Sequence, residues 1–206
     1  VFLLTYQLSY GILTTPAIAD AQLDLAQNNS KTFLVTPTYH IEHQTDNVHL
    51  TAVGYKHISA YYGRAYKALV HDNVEPRWLN PLSATRRGTE IRVRFDVPYG
   101  PLVLDTTTLA VTTDNGFRVT DDDVTTTISN VEVSGDDILI TLASEPSGVV
   151  KVRYARDYLG AGLSITGGAS GNLRDSDPET IDISGTSYPL FNVCPTFELT
   201  TIELGE

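Results

Sequence analysis

The sequence predicts an α/β layered unit followed by an all-β antiparallel sandwich. Three observations carry this reading. Up to about residue 75, apolar runs that suit strands alternate with segments of helical spacing. From residue 89 onward, apolar residues recur at every second position in short segments bounded by Gly, Asp and Ser. Between the two, residues 76–88 (PRWLNPLSATRRG) carry two prolines and no periodicity, which marks a linker. The predicted organisation is residues 1–75, a linker at 76–88, and residues 89–206.

Val1-Phe2-Leu3-Leu4 reads as a buried strand already in progress, and the 206 residues contain no methionine, so the chain reads as the C-terminal piece of a longer one. The opening stretch has no basic leader, and Tyr6, Gln7 and Ser9 interrupt its apolar core, unlike a signal peptide. Pro16 can open a helix at its first turn, with apolar Ile18, Ala21, Leu25 and Ala26, and Asn28-Asn29 ends it. Thr32–Thr36 is a short run of strand formers stopped by Pro37. A polar loop leads to a long helix from about Leu50 to Val70, whose apolar set is Leu50, Val53, Ile58, Tyr61, Tyr62, Ala65 and Leu69.

In the second half, Ile91, Val93, Phe95 and Val97 alternate with charged residues, as in a half-buried strand. Val131 and Val133 lead through Ser134-Gly135-Asp136-Asp137 to Ile138, Ile140 and Leu142, a β-hairpin with a four-residue loop. Val150, Val152 and Tyr154 make another strand, Gly160–Gly171 a long loop, and residues 186–204 return to strand-like sequence. Strands this short and frequent suggest an antiparallel sandwich.

A hydrophobic content of 41% with 19% charged residues is that of a folded protein. The net charge of −11 argues against a nucleic-acid partner and against contact with anionic membranes. The single cysteine, Cys194, leaves no internal disulfide, and no apolar run reaches the roughly 20 residues of a membrane helix.

The chemistry concentrates in residues 40–57, HIEHQTDNVHLTAVGYKH, where His40, His43, Asp46 and His49 fall at every third position. These are metal-ligand types, but steps of three fan four side chains around an α-helix, and a 3₁₀ turn rarely lasts that long. A polar loop with no chemistry is the bland alternative, since Asp-x-x-His is a short pattern. A third reading rests on position. Asp46 and His49 lie one turn apart in a loop after a strand, and a carboxylate that fixes an imidazole tautomer leaves the other ring nitrogen free to deprotonate a hydroxyl.

The run Asp46-Asn47-Val48-His49-Leu50-Thr51-Ala52-Val53-Gly54-Tyr55, with the helix–strand stretch AQLDLAQNNSKTFLVTPTYH before it, resembles the last block of the SGNH (GDSL-type) hydrolases. The resemblance covers about residues 1–70 and implies the C-terminal portion of a flavodoxin-like SGNH hydrolase domain. It implies His49 as general base and Asp46 as its orienting partner, with no cofactor and no metal. That family takes its nucleophile from a Gly-Asp-Ser block and its oxyanion hole from a Gly and an Asn of two further blocks. This chain has none of these: Ser134-Gly135-Asp136-Asp137 has no serine after the Asp, and Gly162-Leu163-Ser164 lacks a second glycine. The resemblance therefore implies a missing N-terminal part of the same protein as partner.

Gly171-Asn172-Leu173-Arg174-Asp175-Ser176 and Tyr188-Pro189-Leu190-Phe191-Asn192 resemble the closing strands of β-sandwich modules that follow esterase domains in bacteriophage tail proteins. That resemblance implies removal of O-acetyl groups from an acetylated polysaccharide, an extracellular or virion location, and a module that binds glycan or makes homotrimer contacts, with no nucleic acid and no membrane insertion. The rival class is a non-catalytic glycan-binding or structural tail adhesin on an esterase-like scaffold; a metal-dependent hydrolase ranks third. Asp121-Asp122-Asp123 offers calcium chemistry or a solvated turn. Trp78, the one tryptophan, offers a platform for a sugar ring or packing between the halves.

Overall fold

The computed structural model describes residues 2–8, 16–46, 48–156 and 171–205. The first half is built around a β–α–β unit: β1 (Leu3–Gln7), α1 (Ala17–Asn28) and β2 (Thr32–Pro37), with β1 and β2 paired in parallel from Leu3↔Thr32 onward. Every residue of β2 is buried, as expected of a run of strand formers covered on both faces. Helix α1 buries Ala19 and Leu23, one turn apart, whereas Ile18, expected in the core, is 61% exposed. Two faces of this helix carry apolar residues at helical spacing, and the position of the sheet decides which is covered. Strand β1 is likewise open on one side, with Phe2 and Leu3 exposed.

Helix α2 (Ala52–Tyr66) starts at Thr51, whose hydroxyl accepts the Gly54 amide at 3.0 Å. Its buried face is Gly54, His57, Ile58, Tyr61 and Ala65, packed on Val35, Ile41 and Leu50. The helix continues as a π-helical turn over Lys67–Asp72 and stops at Asn73, in the left-handed conformation at φ 54°. An extended strap, residues 73–79, then crosses to the second half.

There the strands are β3 (Asn80–Arg87), β4 (Glu90–Asp96), β5 (Val103–Leu104), β6 (Phe117–Asp121), β7 (Val124–Thr126), β8 (Ile128–Ser134), β9 (Asp137–Leu142), β10 (Val150–Tyr154), β11 (Leu173–Arg174), β12 (Thr180–Ile183), β13 (Thr186–Pro189) and β14 (Phe197–Glu203). Eight of them form one sheet in the order β7-β6-β10-β14-β3-β4-β9-β8. The two outermost strands, β7 and β8, are consecutive in the chain, separated only by Thr127. The sheet therefore has to curl until its edges meet, giving a nearly closed barrel in which few backbone groups are left on an open edge.

This corrects the predicted architecture in three respects. The molecule is mostly β, not a flavodoxin-like α/β fold: among the described residues, the one sheet of its first half is the two-stranded parallel pair. The second half is built on one rolled sheet, with two small two-stranded pairs (β5–β11 and β12–β13) beside it, rather than on two facing antiparallel sheets. That sheet is also mixed, because β14 runs parallel to β3 (Thr201↔Ala84) while its other pairings are antiparallel. Alternation tells which residues face inward; it does not tell whether the inward face meets a second sheet or its own far edge. The inward set itself follows the sequence reading: Ile91, Val93 and Phe95, then Ile138, Ile140 and Leu142, then Val150, Val152 and Tyr154 are all buried in one core.

Most of the expected linker, residues 76–88, is strand β3, hydrogen-bonded between β14 and β4. The expected hairpin loop is shorter than predicted, because Ser134 pairs with Asp137 and only Gly135-Asp136 turn, Gly135 at φ +66°. The long loop expected at Gly160–Gly171 lies, apart from Gly171, outside the described residues.

The two halves are tied together by buried polar groups as well as by the core that Leu23, Leu34 and Tyr39 share with the barrel. Gln7, fully buried, donates to the carbonyls of Ala19 (3.1 Å) and Thr196 (2.8 Å) and accepts the Thr196 amide at 2.7 Å. The Arg156 guanidinium grips Asp20 in a two-pronged ion pair. The β12–β13 hairpin folds back over α2, whose His57 donates from Nε2 to the Pro189 carbonyl at 2.7 Å.

Candidate active site

Residues 38–51 link the C-terminal end of β2 to the start of α2. The loop closes on itself through an isolated antiparallel bridge between His43 and Leu50. The Gln44 amide donates to the His49 carbonyl at 2.7 Å, and the Thr51 amide to the Glu42 carbonyl at 3.1 Å. Gly54 is required here for space: a Cβ at this position would collide with the Glu42 carbonyl oxygen. The first turn of α2 and the base of the loop are thus in direct backbone contact, which holds the tip on a rigid mount.

At the tip, one oxygen of Asp46 serves the backbone and the other serves a ring. Oδ1 accepts the amides of Val48 (2.9 Å) and His49 (3.0 Å), while Oδ2 accepts the His49 Nδ1–H at 2.7 Å. The His49 ring, and then the two amides, hold the Asp46 carboxyl well below the usual carboxylate range. With Nδ1 carrying the proton, Nε2 keeps its lone pair, and it hydrogen-bonds to nothing among the described residues. His49 and Asp46 are 65% and 47% exposed, so the free nitrogen is open to an incoming group.

The other members of the every-third-residue run go elsewhere. His40 is buried and contacts the Tyr61 hydroxyl through Nε2 at 3.2 Å, and His43 donates from Nδ1 to the Ile41 carbonyl at 2.8 Å. No three His, Cys, Asp or Glu side chains converge as metal ligands among the described residues. The Asp121–Asp123 run is spent separately: Asp121 accepts the amides of Ser147 and Gly148, Asp122 accepts that of Val149, and Asp123 pairs with Lys151.

His40 and His57 sit edge-to-face, 5.9 Å apart between ring centroids, beneath the loop. Burial lowers both pKa values, and for His40 the neighbouring His57 and His43 add to the effect. The stability consequence has a definite sign. An unfolded histidine takes up a proton near pH 6.5, whereas these two resist it, so stability falls as pH drops from about 6.5 towards the folded values. Urea unfolding midpoints should therefore be lower at pH 5 than at pH 7. The gap should shrink in His57→Gln; equal midpoints at the two pH values in the unmodified protein would refute this.

Sequence reasoning found the Asp46–His49 pair because three-residue spacing survives into a turn. It missed Gln7 and Arg64, which fasten the site's scaffold and carry no motif. Arg64 donates to Asp177 Oδ2 (2.7 Å), the Leu190 carbonyl (2.7 Å) and Asn192 Oδ1 (2.8 Å).

No protein-family model matches the chain, and no curated protein matches it in sequence. Among solved structures, it is similar to a carbohydrate acetylesterase from Xanthomonas citri, with a TM-score of 0.60 and 16% identity. The match covers 96% of this chain and 40% of that one. At that identity the likeness is one of fold: the chain shares the architecture of a portion of that acetylesterase.

Proposed function

We propose that this chain is part of a carbohydrate O-acetylesterase of SGNH type, to which it contributes the Asp46–His49 pair as orienting acid and general base. The observation that carries the reading is the 2.7 Å contact between His49 Nδ1 and Asp46 Oδ2, with Nε2 left free at an exposed loop tip. A serine hydroxyl from another segment of the same polypeptide gives its proton to Nε2 as its oxygen attacks the acetyl carbonyl. The protonated ring then donates to the leaving sugar oxygen, and water, deprotonated in the same way, releases acetate from the acyl-enzyme. The fold likeness to a carbohydrate acetylesterase supports the choice of substrate, an acetylated polysaccharide.

The test is acetate release from acetylated xylan by the full polypeptide. His49→Ala should lower the rate by roughly 10³-fold or more without changing the thermal unfolding midpoint. A rate unchanged by that substitution would remove His49 from the chemistry and leave the non-catalytic, glycan-binding reading in its place.

A further inference from the structure

We propose that the trough along the 73–79 strap is a binding site for a neutral saccharide chain. The proposal extends the acetylesterase reading, on which its choice of ligand class rests. Two cavities, of about 320 and 440 Å³, lie on either side of this strap and share Glu75, Pro76 and Arg77 as a common wall. Each is of the size that holds a small ligand. The first is lined by Tyr99, which is 52% exposed, and the second by Trp78.

Three features match saccharide chemistry. The first is aromatic surface. A sugar ring presents a flat face of C–H groups that an indole or phenol ring can cover; the exposed Tyr99 stands in the first cavity and Trp78, partly buried against the barrel core, in the second. Neither the Trp78 indole N–H nor the Tyr99 hydroxyl hydrogen-bonds to protein among the described residues, so both polar tips are free for a ligand.

The second is a fixed set of planar polar groups in the lining. Arg77 is held by Asp96 Oδ1 (2.5 Å) and the Val97 carbonyl (3.1 Å), and Gln27 donates to Asn80 Oδ1 at 2.8 Å. Pre-set side chains of this kind suit vicinal hydroxyls, which need a donor and an acceptor side by side. The third is charge. Arg64 and Arg77 are offset by Glu75 and Asp96 among the lining residues, so the trough attracts neither a polyanion nor a polycation.

The second cavity includes Asn29, Ser30 and Thr32, at the start of β2, whereas the Asp46–His49 loop follows its end. The second cavity is therefore set apart from the candidate catalytic pair by about the length of a six-residue strand, ~20 Å, while the first reaches further along β2, to Leu34 and Val35. That arrangement would engage a polymer several sugars from the acetyl group being removed.

Trp78 is the sole tryptophan of these 206 residues, and the emission lost in Trp78→Phe separates its signal from that of any other tryptophan in the full polypeptide. The experiment titrates the full polypeptide with unacetylated xylohexaose, cellohexaose and chitohexaose at millimolar concentrations. The emission should change saturably with at least one of them. Tyr99→Ala or Arg77→Ala should weaken that binding by about tenfold, while His49→Ala leaves it unchanged. Calorimetry with the same sugar checks the affinities independently of the fluorophore. No response to any of the three sugars, or a response that survives both trough substitutions at full strength, overturns the proposal. The probes carry no acetyl groups, so sugar binding and ester hydrolysis succeed or fail separately.

Discussion

Asp46→Asn is expected to lower kcat for acetyl-ester hydrolysis by about 10⁴-fold, with KM nearly unchanged. The geometry explains why so small a change is so damaging. Asp46 Oδ1 is already committed to the Val48 and His49 amides, at 2.9 and 3.0 Å. An asparagine satisfies those two donors only by placing its carbonyl oxygen there, which turns its NH₂ group towards His49 Nδ1. The ring must then accept at Nδ1 and carry its proton on Nε2, the nitrogen that has to take the serine proton. The loop keeps its turn, so circular dichroism and the unfolding midpoint should match those of the unmodified protein. The loss therefore reports on the tautomer and not on folding. A kcat within threefold of the parent would mean that Asp46 does no more than shape the turn.

Much of this was legible in the sequence because short-range rules carried it. Period-two alternation located β4, β9 and β10 and named their inward residues, which lie in the barrel core except Val97, partly buried just past the end of β4. The Asp-x-x-His spacing brought Asp46 and His49 together because an acid three residues before an amide can accept it and so close a turn. What was not legible was long-range. The pairing of β4 with β9 and the parallel pairing of β14 with β3 join segments far apart in the chain, and a side chain's polarity says nothing about which strand it neighbours. Proline misled in the other direction. Pro81 marked residues 76–88 as a linker, yet it sits near the start of β3, beside a register irregularity where its missing N–H is tolerated. Gln7 reads in sequence only as a polar break in an apolar run and turns out to be fully buried, binding three backbone groups.

The largest stability effect is expected at Arg64, which the apolar pattern of α2 gives no reason to notice. Its guanidinium reaches from the helix to Asp177, the Leu190 carbonyl and Asn192, so one side chain fastens α2 to the segment around the β12–β13 hairpin. Asp177 is only 3% exposed at its side chain, and Arg64 24%. Deleting the cation leaves a buried carboxylate and a carbonyl without their strongest donor, which costs about 3–5 kcal/mol. For a chain of this size each kcal/mol lowers the midpoint by about 2–4 °C, so Arg64→Ala should unfold roughly 10 °C earlier. Arg64→Lys should recover only part of the loss, because an ammonium cannot serve divergent acceptors with a planar fork. The double substitution Arg64→Met with Asp177→Leu should be more stable than Arg64→Met alone, since it removes the stranded charge along with its partner. A loss below about 1 kcal/mol in urea unfolding of Arg64→Ala would mean that water replaces the guanidinium at these acceptors. The hairpin would then be held on α2 by the His57–Pro189 hydrogen bond and by apolar contact through Leu190 and Ile181.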